Sequence, residues 1–210
     1  MCVHLSSEVR APMTVDREQA LVGFPATFSY SEARRRGLGD RRLYALRDSG
    51  VLEQLGRGLY RRTDLAFAVD PDLLEIAHRS ARATLCLTTA LARHGLTDTI
   101  PASIDVALPR GDRHPRTRAP VTWHAFAAAT FDVGRADFDL GDGARIGLYG
   151  PERCVIDAFR LRHQEGADVA HEALRRWLRR RGAQPTQLLM MARAFPKAEP
   201  ALRGALEVLL

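Results

Sequence analysis

Between residues 28 and 62 the chain is divided by glycines into short segments, and their order restricts the fold more than any other feature. Ser29 is a candidate helix N-cap, because Glu32 follows it at the spacing of a capping box. Phe28 stands directly before the cap, where an apolar side chain can staple the entry of a helix. Gly37 is the next residue suited to ending a helix. The pattern predicts a helix that begins at Ser29 and stops at Gly37.

A second helix and a hairpin follow within the same segment. Asp40 is positioned to cap a helix over 41–49, which a glycine then ends. Two short segments with the character of strands, 51–55 and 59–62, flank the sequence Gly-Arg-Gly at 56–58. Glycine at such a position favours a tight turn, so the two segments are predicted to pair as a β-hairpin.

One further short helix is predicted before this segment, over 16–24 and ended by Pro25. Three helices, a glycine turn between the second and third, and a terminal hairpin are typical of a winged helix-turn-helix. The expected class is α+β, with a flexible N-terminus over 1–16 and a winged helix-turn-helix domain over 17–66. A larger α+β domain is expected over 67–210.

Arginine supplies nearly all of the positive charge, since Lys197 is the only lysine among 31 basic residues. This excludes a phosphate-binding loop that needs a lysine, and Lys197 stands near the C-terminus rather than in a motif for a Schiff-base enzyme. Residues 34–62 contain nine arginines and three acids, so this segment accounts for the whole net charge of +6. Such a concentration indicates a polyanionic partner, most simply nucleic acid, against the alternative of a solvated helical face.

The helix predicted over 41–49, which is the third in chain order, presents the best candidates for reading DNA bases. Leu43 and Leu46 are predicted to face the core, which leaves Arg41 and Tyr44 on the far side. Arginine near the start of a recognition helix is the usual partner of guanine, and a wing tip contacts the backbone or the minor groove. For the two arginines at the end of the hairpin, solvation at a strand end is an equal alternative. The predicted DNA-binding residues are Arg34, Arg35, Arg36, Arg41, Arg42, Tyr44, Arg47, Arg57, Arg61 and Arg62.

Beyond residue 67 helical and alternating patterns are interleaved, which indicates a second α+β domain. We expect helices over 70–82, 84–94, 169–181, 185–195 and 200–210, a helix that starts at Pro151, and strands over 104–108, 121–126, 136–140 and 144–148.

Three aspartates before Gly143, at 137, 139 and 142, are spaced partly like a calcium-binding loop. The glycine and the final glutamate of such a loop are missing from their positions, so a plain hairpin turn is favoured. The seven histidines do not pair at metal-ligand spacing, and no metal or cofactor is expected.

Cys86 and Cys154 lie on apolar helical faces and are predicted to be buried packing rather than nucleophiles. His94 is predicted to interact with carbonyl groups at the C-terminus of its helix. No nucleophile–base pair is recognisable, so an enzyme is the least favoured class.

Two more arginine clusters lie in the second domain. One is in the loop that holds Arg110, Arg113, Arg116 and Arg118 with a single acid. The other is a helical run, for which a solvated face is favoured over contact with DNA backbone or a toxin, because acids lie one turn earlier. That second basic surface comprises Arg175, Arg176, Arg179 and Arg180, with Arg181 beside them.

The chain resembles the AbiE-type (AbiEi) antitoxins of type IV toxin–antitoxin, or abortive-infection, systems. The resemblance rests first on the run from Ser31 to Tyr60, with its Leu-Tyr helix and its Arg-Gly-Leu-Tyr hairpin at 57–60. It extends to the helix that ends in His-Gly-Leu at 94–96 and to the Pro-Glu-Arg helix start at 151–153 with an aspartate at 157.

Three widely spaced cysteines without a CxxC motif, and the lack of an apolar run of 18 residues, lead us to expect a reduced, cytoplasmic protein. The resemblance implies an antitoxin whose winged helix represses its own operon by binding duplex operator DNA. It also implies that the rest of the chain counteracts a nucleotidyltransferase-like toxin, without a need for a stable complex. No membrane partner is expected. The alternative is a winged-helix transcriptional regulator with a ligand-sensing C-terminal domain, which requires a pocket with convergent polar groups.

Overall fold

The computed structural model describes residues 20–65, 70–141 and 143–210. The chain divides into two compact units, Met1–Ala68 and Val69–Leu210. The mixed α+β class predicted from the sequence is confirmed, with helices and strands in both units. The flexible terminus predicted over 1–16 lies outside the described residues.

Over residues 20–65, the N-terminal unit contains two helices and a small antiparallel sheet. Helices α1 and α2 precede a hairpin of strands β2 and β3, and β1 pairs with β3 to give the sheet order β1-β3-β2. The predicted order of helix, glycine turn, helix and hairpin is therefore present. The elements are β1 Thr27–Ser29, α1 Tyr30–Arg35, α2 Asp40–Asp48, β2 Leu52–Gly56 and β3 Leu59–Arg62.

Three local predictions for this unit need correction. The segment Thr27–Ser29 is a strand paired with β3, where the sequence had indicated only a helix entry. Asp40 does not cap α2, because the N-cap is Gly39 and no side chain bonds to the helix start. Of the helix predicted over 16–24, residues 20–23 form a turn and 16–19 lie outside the described part of the chain.

The core of this unit forms between α2 and the sheet. Leu43 and Leu46 are almost fully buried, as the helical pattern predicted. Phe28 packs from β1 with its ring centroid 5.0 Å from that of Phe24. Arg62 at the end of β3 donates to the carbonyl of Leu21 at 2.9 Å, which ties the residues before β1 to the hairpin.

The second unit is built on a five-stranded mixed sheet with the order β6-β5-β4-β8-β7. Strands β5 and β6 are parallel, as are β4 and β8, whereas the remaining neighbours are antiparallel. The predicted hairpin around 142 is confirmed by the pairing of β7 with β8. The strands are β4 Thr84–Leu85, β5 Ile104–Pro109, β6 Val121–Phe126, β7 Arg135–Gly141 and β8 Ala144–Tyr149.

Most helices of the second unit lie near the predicted positions, but the four-residue helices Ala128–Phe131 and Arg162–Glu165 were not predicted. The helix predicted from Thr84 is a two-residue strand first, and the helix begins only after Cys86. The described helices are α3 Pro71–Arg79, α4 Leu87–Arg93, α5 Ala128–Phe131, α6 Pro151–Arg160, α7 Arg162–Glu165, α8 Ala167–Leu178, α9 Pro185–Ala192 and α10 Glu199–Leu209.

The predicted partner of His94 is also wrong. His94 is the C-cap of α4, but its Nε2 lies 2.7 Å from the carbonyl oxygen of Tyr149, at the end of β8. The imidazole therefore links α4 to the sheet instead of interacting with the carbonyls of its own helix.

Helix α6 carries a buried ion pair. Arg153 and Asp157 each have about 1% of the side chain exposed, and the Arg153 Nε–Asp157 Oδ2 distance is 2.9 Å. Arg153 also donates to the carbonyls of Thr130 and Val133 at 2.7 and 2.6 Å. Its guanidinium carbon lies 4.2 Å from the ring centroid of Tyr149. Arg153, fixed by its pair with Asp157, therefore holds the end of α5 against α6.

Two cysteines belong to the core of the second unit. Cys86 and Cys154 are both buried and unpaired, as predicted. Desolvation raises the pKa of both thiols well above the usual value, which disfavours the reactive thiolate. Among the residues described, no helix combines the length and apolarity needed to cross a membrane.

Candidate nucleic-acid interface

Helix α2 has one face in the core and an opposite face on the surface. Because Leu43 and Leu46 point inward, Arg41, Arg42 and Tyr44 are exposed. Gly50 ends the helix with φ +78, a conformation that side chains with a Cβ rarely adopt. The helix is therefore short, anchored on one side and available on the other.

A polar network fixes α2 against α1. The hydroxyl of Tyr30 donates to Asp40 Oδ1 at 2.7 Å, and Arg34 Nη1 donates to the same oxygen at 3.3 Å. The hydrogen bond to Asp40 raises the pKa of Tyr30. Asp40 thus joins the two helices through side chains, and sequence reasoning missed this role because the partners are 6 and 10 residues away.

Two other arginines of the helices pair locally. Arg36 Nη2 lies 3.0 Å from Glu32 Oε1, one turn earlier on α1. Arg47 lies 2.7 Å from Asp48, and its guanidinium carbon is 4.9 Å from the ring centroid of Tyr44. The Asp48 bond raises the pKa of Arg47. Arg47 and Tyr44 therefore form one exposed stack on the outer side of α2.

The arginines at the end of the hairpin are largely enclosed. Arg61 pairs across the strands with Glu53 at 2.6 Å, and Arg62 pairs with Asp64 at 2.5 Å. Their side chains are 20% and 15% exposed, much less than that of an arginine at the wing tip. Since Arg62 also donates to backbone carbonyls, it has a structural role whether or not it meets DNA.

Three exposed arginines remain without an ion pair to any residue in the described ranges: Arg35, Arg41 and Arg57. Arg57 is at the tip of the hairpin, and the following Gly58 has φ +73. The carbonyl of Gly58 accepts a bond from Tyr30 N at 2.7 Å, so the hairpin tip is tied to the start of α1. The unit thus presents three available positive charges on elements that are fixed to one another.

The second basic surface, at the C-terminal end of α8 and in the residues that follow it, is partly neutralised. Arg176 pairs with Glu172 one turn earlier at 2.8 Å, and it also forms a bidentate contact with Asp98. This contact lowers the pKa of Asp98. The remaining members, Arg175, Arg179 and Arg180, are exposed. The pair with Glu172 joins two residues one turn apart on the same helix, as expected for the solvated helix face that the sequence favoured.

A pocket of about 440 Å³ lies in the second unit and is the candidate ligand site for the alternative of a ligand-sensing domain. Arg93, which also lines the pocket, has its guanidinium carbon 5.4 Å from the ring centroid of Phe138. The other polar lining groups already have hydrogen-bond partners. Asp70 caps α3, and Thr89 accepts the backbone N–H of Asp105 at 2.8 Å. Ser103 is hydrogen-bonded to Thr122, and the other lining residues are mostly apolar. Over the described ranges, no group of three or more His, Cys, Asp and Glu residues is placed to hold a metal ion.

A family model matches part of the N-terminal unit. Residues 26–63 match the family model described as a transcriptional regulator, AbiEi antitoxin. The matched range includes all the helices and strands that the structure describes in this unit, so the resemblance inferred from the sequence is confirmed there. No curated protein matches the chain.

Proposed function

We propose that this chain, whose residues 26–63 carry the AbiEi antitoxin regulator match, is an autorepressor that binds duplex operator DNA through a winged helix-turn-helix. The observation that carries the proposal is the exposed face of α2, where Arg41, Arg42 and Tyr44 stand opposite the buried Leu43 and Leu46. A helix of this kind, fixed by its apolar side, is suited to entering the major groove.

The individual arginines have different roles in this proposal. Arg41 and Arg42 reach base edges from the first turn of α2 and read guanine through paired hydrogen bonds. Arg35 at the end of α1 and Arg57 at the hairpin tip bind phosphates and set the register. Tyr44, stacked on Arg47, contacts a thymine methyl group or a phosphate. Arg34, Arg36, Arg61 and Arg62 add positive potential around these contacts.

The second unit has the antitoxin activity in this proposal. It counteracts a nucleotidyltransferase-like toxin in the cytoplasm, as in a type IV system, and needs no stable complex to do so. The support is the antitoxin description of the matched family, together with the presence of a large second unit that DNA binding by the winged helix does not need. The exposed arginines at and just after the C-terminal end of α8, which are Arg175, Arg179 and Arg180, are the proposed contact surface.

A mobility-shift titration with DNA from upstream of the gene tests operator binding. We expect affinity to fall steeply with salt, because each phosphate contact releases counterions. Arg41→Ala should cost about 1–3 kcal/mol on the operator and less on random DNA. Arg57→Ala should weaken both DNAs alike, and Arg203→Ala, an exposed arginine of the second unit, is the matched control. Salt-independent binding, or a neutral Arg41→Ala in a folded protein, contradicts the proposal.

A growth-rescue assay with the neighbouring toxin induced tests the second activity. The full chain with Arg41→Ala and Arg42→Ala should rescue growth although it no longer represses. Charge reversal of Arg175, Arg179 and Arg180 should repress but rescue less. Failure of the unaltered chain to rescue would remove the antitoxin assignment and leave the DNA-binding one intact.

A further inference from the structure

The connection between β5 and β6, here called the 110–118 loop, is exposed and basic. Arg110, Arg113, Arg116 and Arg118 are all exposed on it, against the single acid Asp112. The first three make no ion pair with any residue that the structure describes. The loop therefore offers positive charge that the rest of the unit leaves available to a partner.

Backbone hydrogen bonds hold the loop at both ends. At its start, Arg110 N donates to the carbonyl of Phe126 at 2.7 Å, and Asp112 N donates to that of Pro109 at 3.0 Å. At its end, the carboxylate of Glu75 accepts Arg118 N at 2.8 Å. Glu75 is 1% exposed, so this anchor is set in the core of the unit. Because the ends of the loop are already fixed in the free protein, binding a ligand should cost less conformational entropy.

An aromatic pair stands beside these arginines. The rings of His114, on the loop, and Trp123, on β6, are stacked with centroids 5.9 Å apart and an interplanar angle of 23°. His114 is exposed and Trp123 is half-buried beneath it. Strand β6 is at the edge of the sheet, so the stack and the arginines lie on the same border of the unit.

We propose that the 110–118 loop and Trp123 form a binding site for single-stranded nucleic acid. Arg110, Arg113 and Arg116 neutralise successive phosphates, and an unpaired base extends the stack on His114. Proteins that bind single strands combine a basic track with an aromatic platform in this way. The site is separate from the operator-binding face of α2 and does not depend on the proposed autorepression.

The aromatic stack favours this ligand over two others. In duplex DNA the faces of the bases are already covered by their neighbours, so a duplex can use the arginines but not His114. An acidic protein segment also pairs with arginine, but carboxylates gain nothing from an aromatic face. A single strand is the ligand that uses both features of the site.

The test uses the full chain and oligouridine or oligothymidine of roughly 12 nucleotides, within the range of single-strand sites. Tryptophan fluorescence localises the ligand, because Trp177 is 2% exposed and only Trp123 is near the loop. Binding is measured in the full chain that carries Arg41→Ala and Arg42→Ala, so that the proposed duplex site of the N-terminal unit does not take up the oligonucleotides. We expect saturable quenching by the single strands, and a comparison of the two oligonucleotides shows whether the sugar matters.

Two variants of the site and one matched control complete the design. Removing Arg110, Arg113 and Arg116 as alanines should lower affinity at least about tenfold and reduce the salt slope by about 2. His114→Ala, an exposed change, should lower affinity about fivefold or more. The control replaces Arg175, Arg179 and Arg180 by alanine and should keep the quenching.

Equal losses in the control and the loop variant, no effect of His114→Ala, or no quenching at all would each overturn the proposal. Displacement of the single strand by poly-glutamate as effective as by nucleic acid would also overturn it, in favour of an acidic protein ligand. Loss of duplex binding in the α2 variants, with quenching retained, supports it and separates this site from the proposed operator site.

Discussion

Replacing Arg153 by methionine should destabilise the second unit strongly, because methionine fills a similar volume but cannot pair with Asp157. The change removes the 2.9 Å ion pair and two hydrogen bonds to carbonyls at 2.6 and 2.7 Å. It also removes the guanidinium from the face of Tyr149. Breaking a buried pair by deleting one partner costs about 3–5 kcal/mol, since the other charge stays buried.

Asp157 keeps one partner, Arg160, at 2.9 Å, so we expect the free energy of unfolding to fall by about 4 kcal/mol. With a urea m-value of about 2.5 kcal/mol/M for a unit of this size, the midpoint should fall by about 1.6 M. Fluorescence in a urea titration measures this directly, because both tryptophans, at 123 and 177, belong to the second unit.

The matched control is Arg203→Met. Arg203 forms the same kind of pair with Glu199, four residues earlier at 2.7 Å, but both side chains are substantially exposed. An exposed pair contributes at most about 1 kcal/mol, so the midpoint should hardly move. A combined Arg153→Met and Asp157→Leu change should recover part of the loss. A midpoint shift below about 0.5 M for Arg153→Met would refute the reasoning.

Two further predictions concern other parts of the chain. Ser29→Ala should cost the N-terminal unit about 1 kcal/mol, because Ser29 Oγ accepts the Glu32 backbone N–H at 3.1 Å. Thermal unfolding measures the loss, and Arg35→Ala, an exposed change at the other end of α1, is the control. In a Cys2→Ser background, Cys86 and Cys154 should resist a thiol reagent at pH 7.5 until the protein unfolds, and rapid labelling of the native protein would contradict their burial.

Local chemistry made the helices of the N-terminal unit predictable. Ser29 caps α1 as expected, and Leu43 and Leu46 are buried at the positions that helical spacing requires. Strand β1 was missed because three residues have no strand pattern of their own and become a strand only by pairing with β3. Strand β4 was missed for the same reason, since Thr84 and Leu85 continue into a helical apolar run.

The candidate site shows the same division. The sequence predicted which face of α2 is exposed, because that depends on its own periodicity. It could not show that Arg61 faces Glu53 across the hairpin or that Arg34 and Tyr30 share Asp40, because these contacts depend on how segments are placed in space. Which arginines remain available to a partner therefore had to come from the structure.

The two-residue strand β4 has a consequence for the order in which the protein is made. Its neighbours in the sheet are β5 and β8, so the sheet is incomplete until residue 149 has been synthesised. The helices and hairpin of the N-terminal unit need nothing beyond about residue 65. At ribosomal rates, the roughly 80 intervening residues take about 4–16 s. A nascent chain is thus expected to form its arginine-bearing helix well before the sheet of its larger unit is complete. The two units should therefore become resistant to proteases at different times during synthesis.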